Sequence, residues 1–200
     1  MSIILAIGSH FDDIEIGCAG TLYQHVQKGD EIFFSVLNAN ENKTGSVEER
    51  FKEQKFSIVE LGVDFNNLII FNGDRLYSDY DIINKLDYIK PDIIYIPWHN
   101  DSHQDHRRCF NIGQSVGRKK DITTLMYHCG SSIDFNPNLF NMIDIIKKMK
   151  ILNLFKSQIK RSTINIDIIM AKERYFSTLI SNDPDGFAEG FVVKKMRYAI

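Results

Sequence analysis

Short, uninterrupted apolar runs alternate with amphipathic stretches along the first two thirds of the chain, and this alternation constrains the fold more than any other feature. The runs are SIILAIG, EIFFSVLN, LIIF, DIIYIPW and TTLMYHC. Strands that are apolar on both faces are typical of a parallel sheet that helices cover on both sides. We therefore expect each run to be a buried strand and each intervening stretch to contain a helix.

The stretches between the runs have helical periodicity. In the second of them, one apolar stripe is formed by Val47, Phe51, Ile58 and Leu61. A further helix is expected over residues 103–117, and the last third predicts two helices and a final edge strand, FVVKKMRYA. The sequence thus predicts a single α/β domain over residues 1–200, with a Rossmann-like, open and mostly parallel sheet and helices on both faces.

Composition excludes several classes of function. At 200 residues, with 44% hydrophobic and 25% charged residues, the chain can bury an ordinary globular core. A formal net charge of −2 offers no basic footprint for nucleic acid, and no apolar stretch reaches the roughly 20 residues of a membrane span. The leading SIILAI is too short for a signal peptide, and the three cysteines form no CxxC pair, so we expect a cytoplasmic protein without disulfides. A homo-oligomer is possible.

The first apolar run is followed at once by GSHFDDIEIGCAG, which places four ionisable residues within six positions: His10, Asp12, Asp13 and Glu15. Carboxylates this close repel one another unless a metal ion or a basic side chain lies among them, or water solvates the loop. In a turn that leads into a helix, residues three apart share a face. His10 and Asp13 are therefore expected to converge on one point while Asp12 points elsewhere.

The fourth run is followed by WHNDSHQDHRR, where the same spacing pairs His103 with His106 and adds Asp105. Because the carboxyl ends of parallel strands share one edge of a sheet, this cluster is expected near the first. Imidazole and carboxylate together suit zinc and similar divalent ions. The residues outnumber the three ligands of a catalytic zinc site, which leaves groups for proton transfer and for stabilising the far side of a hydrolytic reaction.

A dinucleotide site is a weaker interpretation of the same strand, turn and helix. Gly8, Gly17 and Gly20 do not form GxGxxG, and the carboxylates between them would repel a pyrophosphate.

The two histidine motifs resemble those of the LmbE-like proteins, the PIG-L family of zinc-dependent N-acetylglucosaminyl deacetylases. AIGSHFDDIEIGCAGTL is similar to the family signature (A/P)HPDDxExGxGG, and PWHNDSHQDHR is similar to the second motif, HxDH. Looser matches at RFKEQ, KSQ and AEGF extend the resemblance over nearly the whole chain. Phe11 replaces the usual proline of HPDD, Gln104 replaces the proline of other members, and Ala19 replaces a glycine, so none of these departures removes a motif histidine or carboxylate.

The resemblance implies a deacetylase that removes an acetyl group from an N-acetylated sugar. It implies one zinc ion per chain, or another divalent ion such as ferrous iron, held by His10, Asp13 and His106. It implies that Asp12 is the general base that takes a proton from the metal-bound water.

The resemblance also implies roles around the substrate. His103 would stabilise or protonate the tetrahedral intermediate, and Asp105 would orient the His103 ring. Arg50 matches an arginine that holds the sugar in the family, although a solvated ion pair with a neighbouring glutamate explains it equally well. Phe11 and Trp98 are further candidates for the substrate pocket.

Alternative functions keep the same fold. One is an amidase that acts on another N-acyl group or on a sugar-linked thiol conjugate, and the other is a non-catalytic sugar-binding protein. The sequence does not identify the acetylated substrate. It also leaves open whether Asp101 caps a helix or reaches the site, and whether Glu189 is a pocket residue or a structural acceptor.

Overall fold

The computed structural model describes residues 1–39, 46–72, 77–116, 118 and 121–197. Its strands are β1 (Ile3–Gly8), β2 (Glu31–Val36), β3 (Leu68–Ile70), β4 (Ile93–Pro97), β5 (Thr123–Tyr127), β6 (Leu139–Met142) and β7 (Ala188–Lys195). Its helices are α1 (Asp13–Gln27), α2 (Val47–Leu61), α3 (Asp79–Asp87), α4 (Gln104–Gly113), α5 (Ile145–Leu152), α6 (Lys156–Lys160) and α7 (Ile166–Thr178). Across these ranges, no helix combines the length and the apolar character that a membrane crossing requires.

The strands form one sheet in the order β3-β2-β1-β4-β5-β7-β6. Strands β3, β2, β1, β4 and β5 are parallel to their neighbours, and β7 pairs antiparallel with β5 and β6. This confirms the expected open, mostly parallel α/β sheet. The strand order reverses at β1, with β2 on one side and β4 on the other, and ligands of such sheets bind at this switch point.

The last third differs from the expectation. Up to residue 197 it contains three helices, and the short, half-buried strand β6 adds an edge that sequence analysis did not predict. The expected edge strand is β7, which lies between β5 and β6 instead. The ends predicted for the fourth helix, at Gly117, and for the last strand, at Tyr198 and Ala199, lie outside the described residues.

Helices cover both faces of the sheet because alternate residues of each strand point to opposite sides. On one face Ile4 and Ala6 of β1 belong to a core cluster with residues of α1 and α2. On the other face Leu5 and Ile7 belong to a cluster with residues of α3 and α4. These four side chains of β1 are fully buried, which holds the carboxyl end of this strand in place.

Helix α1 lies unusually close to the sheet at Gly17. A Cβ atom on this residue would stand 2.1 Å from Cδ2 of Tyr127, whose hydroxyl donates to the carbonyl of Ile7 (2.8 Å). Only glycine permits this approach. The contact sets the height of the first turns of α1 above β1.

A buried glutamate from β7 holds the second half of α1. The helix is interrupted at Cys18 (φ −150°, ψ 16°), and Glu189 accepts the N–H groups of Gly20 (2.9 Å) and Thr21 (2.7 Å) just beyond the break. Glu189 is therefore a structural acceptor that caps the second segment of the helix.

Lys148 of α5 joins four elements in the same region. Its ammonium group donates to Glu189 (2.6 Å), to Glu173 of α7 (2.5 Å) and to the carbonyl of Ile16 (2.9 Å), and its side chain is fully buried. The cluster ties α5, α7 and β7 to the helix that carries the first histidine motif.

Replacing Lys148 with methionine is expected to lower the free energy of unfolding by about 3–5 kcal/mol, because two buried carboxylates lose their counter-charge. Lys150→Met on the same helix is the matched control: Lys150 is mostly exposed and pairs with Glu60, so its loss should cost less than about 1 kcal/mol. Urea denaturation of both variants measures the difference. Equal losses would show that the buried cluster does not hold these elements together.

Candidate active site

The loop between β1 and α1 is folded around the side chain of Asp13. The Oδ2 atom of Asp13 accepts the backbone N–H groups of Ser9 (2.9 Å) and His10 (2.8 Å). Asp12, the residue before it, has φ 104° and ψ −26°, a left-handed conformation that residues other than glycine rarely adopt. Strained backbone of this kind clusters at functional sites, where the surrounding structure enforces it.

The loop between β4 and α4 is folded around Asp101. The Oδ1 atom of Asp101 accepts the N–H of His103 (2.8 Å) and the hydroxyl of Ser131 (2.5 Å), and Oδ2 accepts the hydroxyl of Ser132 (3.1 Å). Asp101 therefore stabilises the turn just before the start of α4. It also reaches the site, since its Oδ1 lies 3.2 Å from Nδ1 of His106.

The two loops bring His10, Asp13 and His106 together at the carboxyl ends of β1 and β4. One ligand atom from each residue can be chosen so that all three lie within 4.8 Å of one another. Oδ1 of Asp13 lies 3.3 Å from Nε2 of His106, and Nδ1 of His10 lies 3.6 Å from Oδ2 of Asp13. All three residues are buried. Two imidazoles and one carboxylate are a donor set that fits zinc or a similar divalent ion.

The two histidines of this cluster hold their protons strongly. Burial disfavours the charged form of His10, but hydrogen bonds with Asp105 and Asp13 outweigh it and raise the pKa of His10 to about 9. Burial also disfavours the charged form of His106, but the charge of Asp13 outweighs burial and raises the pKa of His106 well above its ordinary value. Burial alone would raise the pKa of Asp13, yet the two histidines hold it well below the usual range. A divalent cation would take the place of the imidazole protons, because metal ligands must be deprotonated.

Asp12 lies beside the cluster without joining it. Its side chain is buried, and its Oδ2 has no hydrogen-bond partner among the described residues. Burial, and next the charge of Asp13, raise the pKa of Asp12 well above its usual range, although the charge of Arg50 opposes this. A buried carboxylate oxygen without a partner is costly, so one facing a ligand cavity points to a role in binding or chemistry.

His103 caps the first turn of α4 and faces the same cavity. Its Nδ1 accepts the N–H of Asp105 (3.2 Å), and its ring stacks on His106 with centroids 4.8 Å apart. The carboxylate of Asp105, which was expected to orient His103, lies 4.0 Å from Nδ1 of that ring. The same oxygen lies closer to His10, at 3.2 Å from its Nε2, and accepts from the side-chain amide of Asn38 (2.8 Å).

The cavity above the cluster has a volume of about 300 Å³. The residues around it are His10, Asp12, Asp13, Ile16, Arg50, His103, His106, Gly130, Ser131, Gln158 and Thr163. Arg50 is buried and donates from Nη2 to the carbonyl of Phe11 (3.0 Å), so its side chain lies inside the protein and not on the solvated surface. Sequence analysis did not predict Gly130, Ser131 or Thr163 as site residues, because they belong to no recognised motif. Gln158 is the last residue of the loose KSQ match.

Two residues expected in the pocket lie elsewhere. Phe11 is buried against Phe51 and residues at the end of β2, because its side chain points away from the histidines into a small apolar cluster. Trp98 packs on Phe135, and its indole N–H donates to the carbonyl of Ile133 (2.9 Å). Neither side chain lines the cavity.

Solved structures share this fold over nearly the whole chain. The conserved protein TT1542 from Thermus thermophilus superposes with a TM-score of 0.81 at 22% identity, covering 100% of this chain and 98% of that one. The N,N'-diacetylchitobiose deacetylase from Pyrococcus horikoshii, solved with its inhibitor MPG, gives 0.73 at 19% identity, covering 96% and 83%. GalB, the 4-carboxy-2-hydroxymuconate hydratase from Pseudomonas putida KT2440, gives 0.79 at 14% identity, covering 100% and 99%. At these identities the likeness shows the fold alone, and the fold carries more than one chemistry.

Sequence comparison is more specific. The family model described as PIG-L, GlcNAc-PI de-N-acetylase, matches residues 5–116, more than half of the chain and the part that contains both histidine loops. The uncharacterized deacetylase YaiS of Escherichia coli K12 is 34% identical over 142 residues, which are 62% of this chain and 77% of that protein. Both histidine loops, their convergence and these matches lead to one conclusion: the chain belongs to the PIG-L family of de-N-acetylases.

Proposed function

We propose that this protein is a metal-dependent N-deacetylase that hydrolyses the acetamide of an N-acetylated sugar of the N-acetylglucosamine type. The observation that carries the proposal is the buried, partnerless oxygen of Asp12 beside the His10, Asp13 and His106 cluster. Family membership and the deacetylase relatives support the reaction, and the polar side chains that line the cavity support a sugar as the substrate.

His10, Asp13 and His106 hold the cation. Zinc suits this donor set, and ferrous iron is the alternative because metal availability also decides the occupancy of such sites. When bound, the ion polarises the acetamide carbonyl and lowers the pKa of a water molecule.

Asp12 is the general base. It accepts a proton from the water as the new C–O bond forms, and this proton then passes to the amide nitrogen as the C–N bond breaks. The products are acetate and a free amine. Burial raises the pKa of Asp12, which makes its carboxylate a stronger proton acceptor than an exposed one.

His103 stabilises the negative charge on the carbonyl oxygen. Because its Nδ1 accepts the N–H of Asp105, the ring proton of the neutral form resides on Nε2. The side chain is 39% exposed, so the N–H can reach a substrate in the cavity. Because the helix cap fixes the His103 ring, its Nε2–H group does not have to reorient during the reaction.

Arg50, Gln158 and Thr163 also line the cavity. Arg50 also supports the loop of Asp12 through the carbonyl of Phe11. The cavity volume is at the lower end of the range for small-molecule sites, which favours one acetamido sugar unit inside and any attached group outside.

The proposal is tested by measuring amine release from a panel of N-acetylhexosamine derivatives, including nucleotide-linked ones. Metal-replete protein should release amine from at least one member, and a chelator should abolish the release until metal is restored. If protein with bound metal releases no amine from any member of the panel, the result would favour another N-acyl substrate or a non-catalytic sugar-binding protein.

Asp12→Asn should reduce kcat by about 10²–10⁴-fold, because the amide has the same shape but cannot accept the proton. Metal content should stay at the wild-type level, since Asp12 lies outside the ligand cluster. Asp79→Asn, which alters an exposed surface ion pair, is the control and should leave both quantities unchanged. Joint loss of metal and activity in Asp12→Asn would make Asp12 a ligand and refute its role as base.

His103→Asn should reduce kcat by about 10²–10³-fold with little change in metal content. Asparagine still caps α4, so the loss would report the missing ring N–H and not a frayed helix. His99→Asn is the matched control, because His99 also follows β4 but lies outside the cavity. Steady-state kinetics and metal analysis compare the two, and equal activities would remove His103 from the mechanism.

A further inference from the structure

The buried carboxylate of Asp101 connects the loop after β4 with the loop after β5. Only 2% of Asp101 is exposed, and its two oxygens accept from the hydroxyls of Ser131 and Ser132 and from the N–H of His103. Backbone contacts reinforce the connection, since Asp101 and Ser132 form an isolated β-bridge and the N–H of Ser102 donates to the carbonyl of Ser131 (3.2 Å). Asp101 therefore has little freedom to move.

This fixed carboxylate faces one side of the His106 ring. Oδ1 of Asp101 lies 3.2 Å from Nδ1 of His106, while Nε2 on the other side of the ring lies 3.3 Å from Oδ1 of Asp13. A carboxylate at Nδ1 holds a proton on that nitrogen, so the lone pair of the neutral ring is on Nε2. Nε2 is the nitrogen that faces the ligand cluster.

We propose that Asp101 is the positioning residue of the metal centre: it fixes the tautomer and the orientation of His106, and Ser131 and Ser132 hold it in place. This rests on the proposed function in so far as His106 is a metal ligand. Carboxylates that accept the second N–H of a ligating histidine raise its basicity and restrict its ring, and their loss weakens metal binding about 10–100-fold. The loop after β5 thereby contributes to metal affinity, although the proposed metal ligands lie in the loop after β1 and in the first turns of α1 and α4.

A competing arrangement uses the same atoms. One ligand atom each from Asp101, His106 and Cys129 also lie within 4.8 Å of one another, so a cation could in principle bind on the Nδ1 side of the ring. Both oxygens of Asp101 already accept hydrogen bonds there, and a cation would have to displace those donors. The geometry favours the positioning role.

The test measures zinc affinity by competition with a chromophoric chelator, which does not require a known substrate. Asp101→Ala should weaken zinc binding about 10–100-fold. Asp101→Asn should fall between Asp101→Ala and the wild type, because its amide oxygen can still accept the His106 N–H. Ser132→Ala, which removes one support of Asp101, should show a smaller loss, and Asp79→Asn should show none.

The unfolding free energy of each metal-free variant separates positioning from structural damage. Wild-type zinc affinity in Asp101→Ala, or equal losses in Asp101→Asn and Asp101→Ala, would overturn the proposal. If Asp101→Ala does not fold, wild-type affinity in both Asp101→Asn and Ser132→Ala would overturn it. Two zinc ions per chain, reduced to one by Cys129→Ser, would assign the Nδ1 side to a second cation and also overturn it. A graded affinity series without turnover on any acetamide would support the positioning role and reject the proposed reaction.

Discussion

The carboxylate of Asp13 lies where the two halves of the site meet. One oxygen accepts two backbone N–H groups from the loop after β1, and the other lies 3.3 Å from His106, which lies in the first turn of α4. His106 and His10 hold the pKa of Asp13 well below its usual range, so this carboxylate keeps its charge although it is buried. The same negative charge draws the imidazoles of His10 and His106 toward it. The turn, the cluster and the cation affinity thus depend on one side chain.

The sheet makes this meeting possible. Strands β1 and β4 are adjacent and parallel, so their carboxyl ends open into the same crevice, and residues far apart in sequence come within hydrogen-bond distance. Ile4, Leu5, Ala6 and Ile7 of β1 are fully buried, two on each face of the sheet, which gives the loops a rigid base. Behind α1, the contact of Gly17 with Tyr127 and the cap from Glu189 fix the helix that begins at the site. A ligand cluster needs such support because small displacements of its atoms weaken metal binding.

The parallel part of the fold could be predicted because its signal is local: apolar runs, their spacing and the motifs after two of them. Residue spacing also predicted that His10 and Asp13 share a face. The antiparallel edge could not be predicted, since β6 is short and half-buried and its pairing with β7 depends on residues about 50 positions away. The contact of Asp105 with His10 was missed for a similar reason. His10 and His103 both lie near the carboxylate of Asp105, at 3.2 Å and 4.0 Å, and residue spacing along the chain does not indicate which histidine is closer.

Helix α2 shows how the charges of the site shape the structure behind it. The sequence places Val47, Phe51, Ile58 and Leu61 on one apolar stripe of this helix, and of these four only Ile58 and Leu61 are buried. The helix also buries four polar residues, Arg50, Glu53, Gln54 and Ser57. Each has a polar partner near the site: Gln54 and Ser57 donate to the fully buried Glu15, Arg50 donates to the carbonyl of Phe11, and Glu53 accepts from Ser157. An apolar stripe here would have left Glu15 and the loop carbonyl without partners, at a cost of about 1–3 kcal/mol for each group. The helix therefore follows the polarity of the site it supports, and Phe56 and Val59 remain exposed on its outer face.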